Sequence, residues 1–170
     1  TLHGLDDGFK LAINLSTRDL LDLEFPARLD ALLLQYQVPA NAFCLEITES
    51  AIMDDPLRAE AMLNRLSEQG FKLSIDDFGT GYSSLAYLKR LPVDELKIDK
   101  SFVMGMEQGE GDAMIVRSTI DLAHNLGLTV VAEGVETGVV STTMGAAGAR
   151  AGSAGGVVAC TGTTTRVRGR

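Results

Sequence analysis

The sequence predicts an α/β fold, a partial (β/α) TIM-type barrel with about five parallel strands. Three observations predict it. Short strand-forming runs alternate with stretches of helical periodicity. A polar or acidic residue stands at or near the end of each strand run, namely Asn14, Glu46, Asp76, Asp99 and Glu133. Their separations are 32, 30, 23 and 34 residues, each suited to one strand and its crossover helix. Right-handed crossovers bring every strand's C-terminal end to one face. An open sheet would favour a single ligand site at its switch point, so functional residues on all five strands favour the barrel.

Each element has its own signal. Phe9 to Leu15 reads as a strand closing on Asn14, and Ser16-Thr17-Arg18-Asp19 as a capped turn. Leu29, Leu32, Leu33 and Tyr36 predict a helix from about residue 26 to 36, ended by Pro39. Phe43 to Glu49 is the second strand. Asp55-Pro56 is a cap followed by Pro at the first helical position, and Met62, Leu63 and Leu66 supply that helix's apolar face before Gly70 stops it. Lys72 to Ile75 runs as a strand into Asp76-Asp77. A loop with two glycines and three Ser/Thr hydroxyls follows. Leu85, Leu88 and Leu91 outline a short helix closed by Pro92, and Glu95 to Asp99 is the fourth strand. Asp112 caps a helix with the stripe Ile115, Val116, Ile120, Ala123 and Leu126, which Gly127 ends before the fifth strand, Thr129 to Gly134.

Composition narrows the function. At 170 residues and 45% hydrophobic content the chain is the size of one ordinary globular domain. A net charge of −8 argues against a general nucleic-acid binder, so no DNA partner is expected. It leaves room for a small anionic ligand held through metal ions. Cys44 and Cys160 form no disulfide framework or CxxC pair, and His3 and His124 are isolated, which disfavours zinc. Cys44 is expected to be a small buried residue. With no signal peptide and no apolar run near a membrane span, a cytoplasmic setting is expected, although the parent protein could be membrane-anchored.

The strand-end residues suggest chemistry. Neighbouring carboxylates repel, so Asp76-Asp77 is costly unless a cation sits there. An acidic surface turn is the bland alternative, and repetition over five strands weakens it. Asn14, Glu46, Asp76, Asp77 and Glu133 are hard oxygen donors that suit Mg²⁺ or Mn²⁺ better than zinc or copper. Lys97 lies two residues before Asp99 on the same side of its strand. It reads equally as a charge neutraliser or as a contact to phosphate or to a metal-bound water. Glu49 and Glu136 stand three residues beyond Glu46 and Glu133 and could hold loops. Pattern alone gives a divalent-metal enzyme acting on a phosphate or carboxylate substrate.

The motifs, taken in order, carry a close resemblance. They are Asn14-Leu15-Ser16, Leu45-Glu46-Ile47-Thr48-Glu49-Ser50, Asp76-Asp77-Phe78-Gly79-Thr80-Gly81-Tyr82-Ser83-Ser84-Leu85, Leu91-Pro92-Val93-Asp94 through Lys97-Ile98-Asp99, and Ala132-Glu133-Gly134-Val135-Glu136-Thr137. Over residues 9–137 the chain resembles the EAL domain, the phosphodiesterase that opens cyclic di-GMP to linear pGpG. The resemblance implies two Mg²⁺ or Mn²⁺ ions, one held by Asn14, Glu46 and Asp76, the second served by Asp76 and Asp77, together activating a water. It implies that Lys97 contacts the water or the phosphate and that Asp99 supports the water network. Glu133 would be either the general base or part of the second ion's surroundings. Glu49 would anchor the substrate loop of Phe78, Gly79, Thr80, Gly81, Tyr82, Ser83 and Ser84, a region linked to homodimers, and Glu136 would support the same network. Fused sensor or GGDEF domains are expected in the parent protein.

Two departures from the family pattern are expected to matter. The Glu-Ala-Leu motif and a nearby phosphate-contacting Arg have no counterpart before Asn14, so residues 1–137 are read as a partial EAL domain with impaired hydrolysis. Five strands cannot close an eight-stranded barrel. After Thr137 the charge changes abruptly: residues 1–137 carry 11 basic and all 23 acidic side chains, and residues 138–170 carry four Arg and no acid. We read this Gly/Ala/Thr/Arg-rich tail as a shifted reading frame, expected to be disordered; a basic tail for an anionic partner is the functional alternative. A degenerate module that binds cyclic di-GMP or a protein partner without catalysis is the competing reading of the whole.

Overall fold

The structure is a computed structural model that describes residues 11–80, 85–106, 110–132, 149–152 and 157–160. The chain divides into two compact units, residues 1–75 with 83–93, and residues 76–82 with 94–170. Strands β1 (Leu11–Leu15), β2 (Phe43–Thr48), β3 (Lys72–Phe78), β4 (Glu95–Ile98) and β5 (Thr129–Ala132) are parallel and alternate with helices. This is the predicted α/β class.

In the first unit the strand order is β1-β2-β3. Helix α1 (Thr17–Leu21) follows β1 and opens with a reciprocal capping box: Ser16 Oγ accepts from the Asp19 N–H, and Asp19 Oδ2 accepts from the Ser16 N–H at 2.8 Å. Helix α2 (Phe25–Tyr36) closes at Gln37, whose φ of 54° is left-handed. Helix α3 (Glu49–Asp54) follows β2 directly and is capped by Thr48, whose Oγ1 accepts from the Ala51 N–H at 3.3 Å. Six residues are too few to show periodicity, so sequence patterning misses α3 and leaves Glu49 as the last strand residue. Glu49 is instead the first residue of α3.

Helix α4 (Pro56–Glu68) begins where Asp55-Pro56 predicts, with Asp55 Oδ1 accepting from the Arg58 N–H at 3.2 Å. Ala59, Met62, Leu63 and Leu66 form its buried face. Leu45, Ile47, Ile52 and Leu73 are fully or almost fully buried in the same unit. Short α5 (Leu85–Leu88) is tied to α4 by two contacts: the Tyr87 hydroxyl donates to the Pro56 carbonyl, and Arg90 forms an ion pair with Glu60 at 2.8 Å. Burial pushes the Tyr87 phenol above its usual value of 10, with the Glu60 charge adding to the effect. The folded state thus holds the phenolic proton more tightly than the unfolded chain. This contribution is fully present below pH 10 and is lost as pH rises through the raised value. Tyr87→Phe is expected to cost about 1 kcal/mol at neutral pH by removing one hydrogen bond. It should also flatten the stability loss seen in urea titrations above about pH 10.

In the second unit the strand order is β4-β5-β7-β6. Helix α6 (Lys100–Gly105) follows β4, and α7 (Glu110–Asn125) precedes β5. Leu96, Ile98, Val103, Val116, Ile120, Ala123, Val130 and Ala132 are its buried core. Ile115, assigned to the buried stripe by spacing, is 41% exposed, while Thr119 is buried. Cys44 on β2 is half-buried and in no disulfide, short of the full burial expected.

Two elements of the tail differ from the strandless stretch the sequence suggests. Strands β6 (Ala149–Gly152) and β7 (Val157–Cys160) pair antiparallel with each other, and β7 pairs antiparallel with β5. Backbone pairing of β7 with β5, and of β6 with β7, carries these strands, and the sequence ARAG of β6 gives no strand signal of its own. The rest of residues 138–170 lies outside the described residues.

Candidate active site

In the first unit, parallel pairing of β1 with β2 sets Asn14 opposite Glu46. Adjacent strands lie about 4.8 Å apart, so register alone makes the two side chains neighbours on one face. The alternation of β2 supports this, because Leu45 and Ile47 are buried on the opposite face and Glu46 is half-buried. Asn14 is exposed. Two predicted ligands are thereby brought together. Glu49, 2% exposed, is held in the first turn of α3, where the helix dipole favours a carboxylate.

In the second unit, β3 continues through both aspartates to Phe78, further than the sequence reading placed it. Successive strand residues normally face opposite sides. Asp77 has a φ of 54°, a left-handed conformation tolerated by Asp, and this re-aims its side chain. Its N–H donates to Asp76 Oδ1 at 3.0 Å, and its carbonyl accepts from Thr80 Oγ1 at 2.8 Å and the Thr80 N–H at 3.4 Å. Gly79, at φ 99°, lets the chain turn where a side chain would be strained.

Lys97 on β4 is buried, and its Nζ stands 3.1 Å from Asp76 Oδ1. Asp99, predicted as a strand residue, is the N-cap of α6. It accepts from the Ser101 N–H at 2.9 Å and from the Ser101 hydroxyl. The Ser101 hydroxyl, above all, holds the Asp99 carboxyl below the usual carboxylate range; the Ser101 backbone, a hydrogen bond with the Asp77 side chain and the Lys100 charge act the same way, against partial burial. Lys97 and Asp99, read as sharing one side of a strand, serve two different partners, Asp76 and Ser101.

The donor set suits Mg²⁺ or Mn²⁺ by its chemistry, since it consists of hard oxygens: the Asn14 amide and Glu46 carboxylate in the first unit, and in the second Asp76 and Asp77, with the Lys97 ammonium on Asp76. Among the described residues no group of three or more His, Cys, Asp or Glu forms a metal cluster. Glu133, Glu136, Gly81, Tyr82, Ser83 and Ser84 lie outside the described residues. Sequence reasoning missed Ser101 and Phe102. The signal for Ser101 was present, because Asp99 followed two residues later by Ser is a capping pattern.

Parallel strands alternating with helices, with carboxylates and a buried lysine at the strand ends, define an α/β protein of the TIM-barrel type. The sequence matches the EAL domain family over residues 1–153, and the chain belongs to that family. It is 43% identical over 136 residues to MucR of Pseudomonas aeruginosa, a bifunctional diguanylate cyclase/cyclic di-GMP phosphodiesterase, covering 80% of this chain and 20% of MucR. It is 55% identical over 93 residues to the cyclic di-GMP phosphodiesterase NbdA of the same species, covering 55% of this chain and 12% of NbdA. The solved MucR phosphodiesterase in complex with c-di-GMP superimposes with a TM-score of 0.78 at 40% identity, over 82% of this chain and 56% of that one. The chain thus spans about a fifth of the length of the full-length MucR. No helix among the described residues is long and apolar enough to cross a membrane.

Proposed function

We propose that this chain carries most of a cyclic di-GMP phosphodiesterase site, acts in the cytoplasm, and opens the cyclic dinucleotide to linear pGpG with reduced efficiency in isolation. The observation that carries this reading is the buried Lys97–Asp76 ion pair beside the left-handed Asp77, within the family's Asp-Asp loop. On the motif order of the family, Asn14, Glu46 and Asp76 would hold one Mg²⁺ or Mn²⁺, and Asp76 with Asp77 the second. The ions would supply charge neutralisation at the phosphate and a more acidic water.

The chain's own groups do the rest. Lys97 orients the Asp76 carboxylate and adds a positive charge for phosphate. Asp99 positions Asp77 and the start of α6. Glu133 would take the proton from the attacking water or complete the second ion's surroundings, with Glu136 supporting it. Glu49 would anchor the loop from Phe78 to Ser84, which would lie against the substrate and in a homodimer contact. Because a bifunctional relative joins two activities in one chain, a fused GGDEF or sensor domain fits the parent protein.

The test is chromatographic assay of cyclic di-GMP with Mn²⁺ and purified protein. Slow, metal-dependent pGpG formation, abolished in Asp76→Asn, is the expected result. Saturable nucleotide binding without any turnover would support the degenerate binding module instead.

A further inference from the structure

We infer that Phe102, on α6, is a positioning residue for the Asp-Asp loop: its ring lies where the side chain of residue 79 would otherwise be, and it holds Asp77 in the left-handed conformation. A Cβ built on Gly79 would stand 3.1 Å from Phe102 Cε2, tighter than most side-chain contacts, and in ordinary contact with Cζ at 3.7 Å. Glycine at 79 therefore answers two demands, the φ of 99° and the aromatic edge.

Asp99, the N-cap of the same helix, accepts from the Ser101 N–H at 2.9 Å and so fixes the start of α6. The chain two residues beyond Asp77 is braced by the ring of Phe102 on that helix. Asp tolerates φ 54° but does not require it, and the Phe102 ring packed against the following turn favours that one backbone state over its alternatives. No ion or nucleotide is required for the contact itself. Its value for the cation pair rests on the reading proposed above.

Hydrogen exchange and Mn²⁺ calorimetry on the whole chain test this. Phe102→Ala should speed exchange of the Asp77 amide by about tenfold, while core amides such as Leu96 keep their rates. Phe102→Tyr, which retains the ring, should restore slow exchange, and Met104→Ala, an exposed control on α6, should change nothing. Mn²⁺ affinity should fall about tenfold in Phe102→Ala, as expected when a supporting contact behind a ligand is lost. Unchanged Asp77 exchange in Phe102→Ala, or a tyrosine variant as fast as the alanine one, would overturn the inference. So would equal Mn²⁺ affinity in wild type and Phe102→Ala. If the wild type binds no Mn²⁺, the metal reading fails, and the exchange arm still decides the role of Phe102.

Discussion

Lys97→Met is expected to destabilise the metal-free protein by about 3 kcal/mol, the low end of the range for breaking a buried ion pair. The lysine side chain is 9% exposed and that of Asp76 17%, so water screens the pair only weakly. Methionine keeps the apolar length of the side chain and deletes only the ammonium. Asp76 then loses its ammonium partner while it stands next to a second carboxylate, Asp77, whose N–H donates to it. Like charges at this spacing raise the energy of the folded state unless a proton or cation intervenes. Saturating Mn²⁺ should restore part of the lost stability, because an ion that binds only the folded form stabilises it by mass action. Asp76→Asn in the Lys97→Met background should cost less than Asp76→Asn alone, giving a coupling energy of about 1–3 kcal/mol in urea unfolding. A change below about 0.5 kcal/mol for Lys97→Met would show a screened surface-type pair.

Leu63→Ala is expected to cost about 3 kcal/mol and to lower Tm by about 10 °C. Leu63 is 0% exposed at the centre of the α4 face, between Ala59, Met62 and Leu66. α4 packs on α1, α2 and α3 within the first unit, so a cavity at residue 63 cannot collapse without moving several helices. α3 begins at Glu49, directly after the strand that presents Glu46, and the loosened packing should reach those carboxylates as well. Thermal unfolding followed by circular dichroism measures the effect. A loss under about 1 kcal/mol would mean that the unit relaxes around the cavity.

Much of this was legible in the residues themselves. Asp55-Pro56, Gly70 and Gly127 mark real helix ends because capping and left-handed stops are local, decided by a few neighbouring atoms. That Asn14 and Glu46 meet was legible only as strand ends sharing one face, because crossover handedness brings those ends together; the register itself comes from the structure. The α3 and α6 helices were not legible. Each has six residues; α3 starts on Glu49 and α6 is capped by Asp99, carboxylates that patterning assigned to the preceding strand. Asp77 shows the limit most clearly. Alternation predicts that it faces away from Asp76, and its left-handed backbone angle, which no periodicity encodes, breaks that rule. Phe102 went unnoticed because its role depends on the absence of a side chain 23 positions earlier, at Gly79. Ile115 and Thr119 exchange places because spacing sets the face of α7 but not which residue the partner elements cover.

The central claim is that these strand ends form a cation-dependent cyclic di-GMP site. Isothermal titration of cyclic di-GMP into the protein, with and without Mn²⁺, tests it most directly. Saturable binding that requires Mn²⁺ and disappears in Asp76→Asn, with the variant still folded by circular dichroism, is the predicted result. Binding that is absent under both conditions, or that is indifferent to Mn²⁺ and to Asp76, would contradict it.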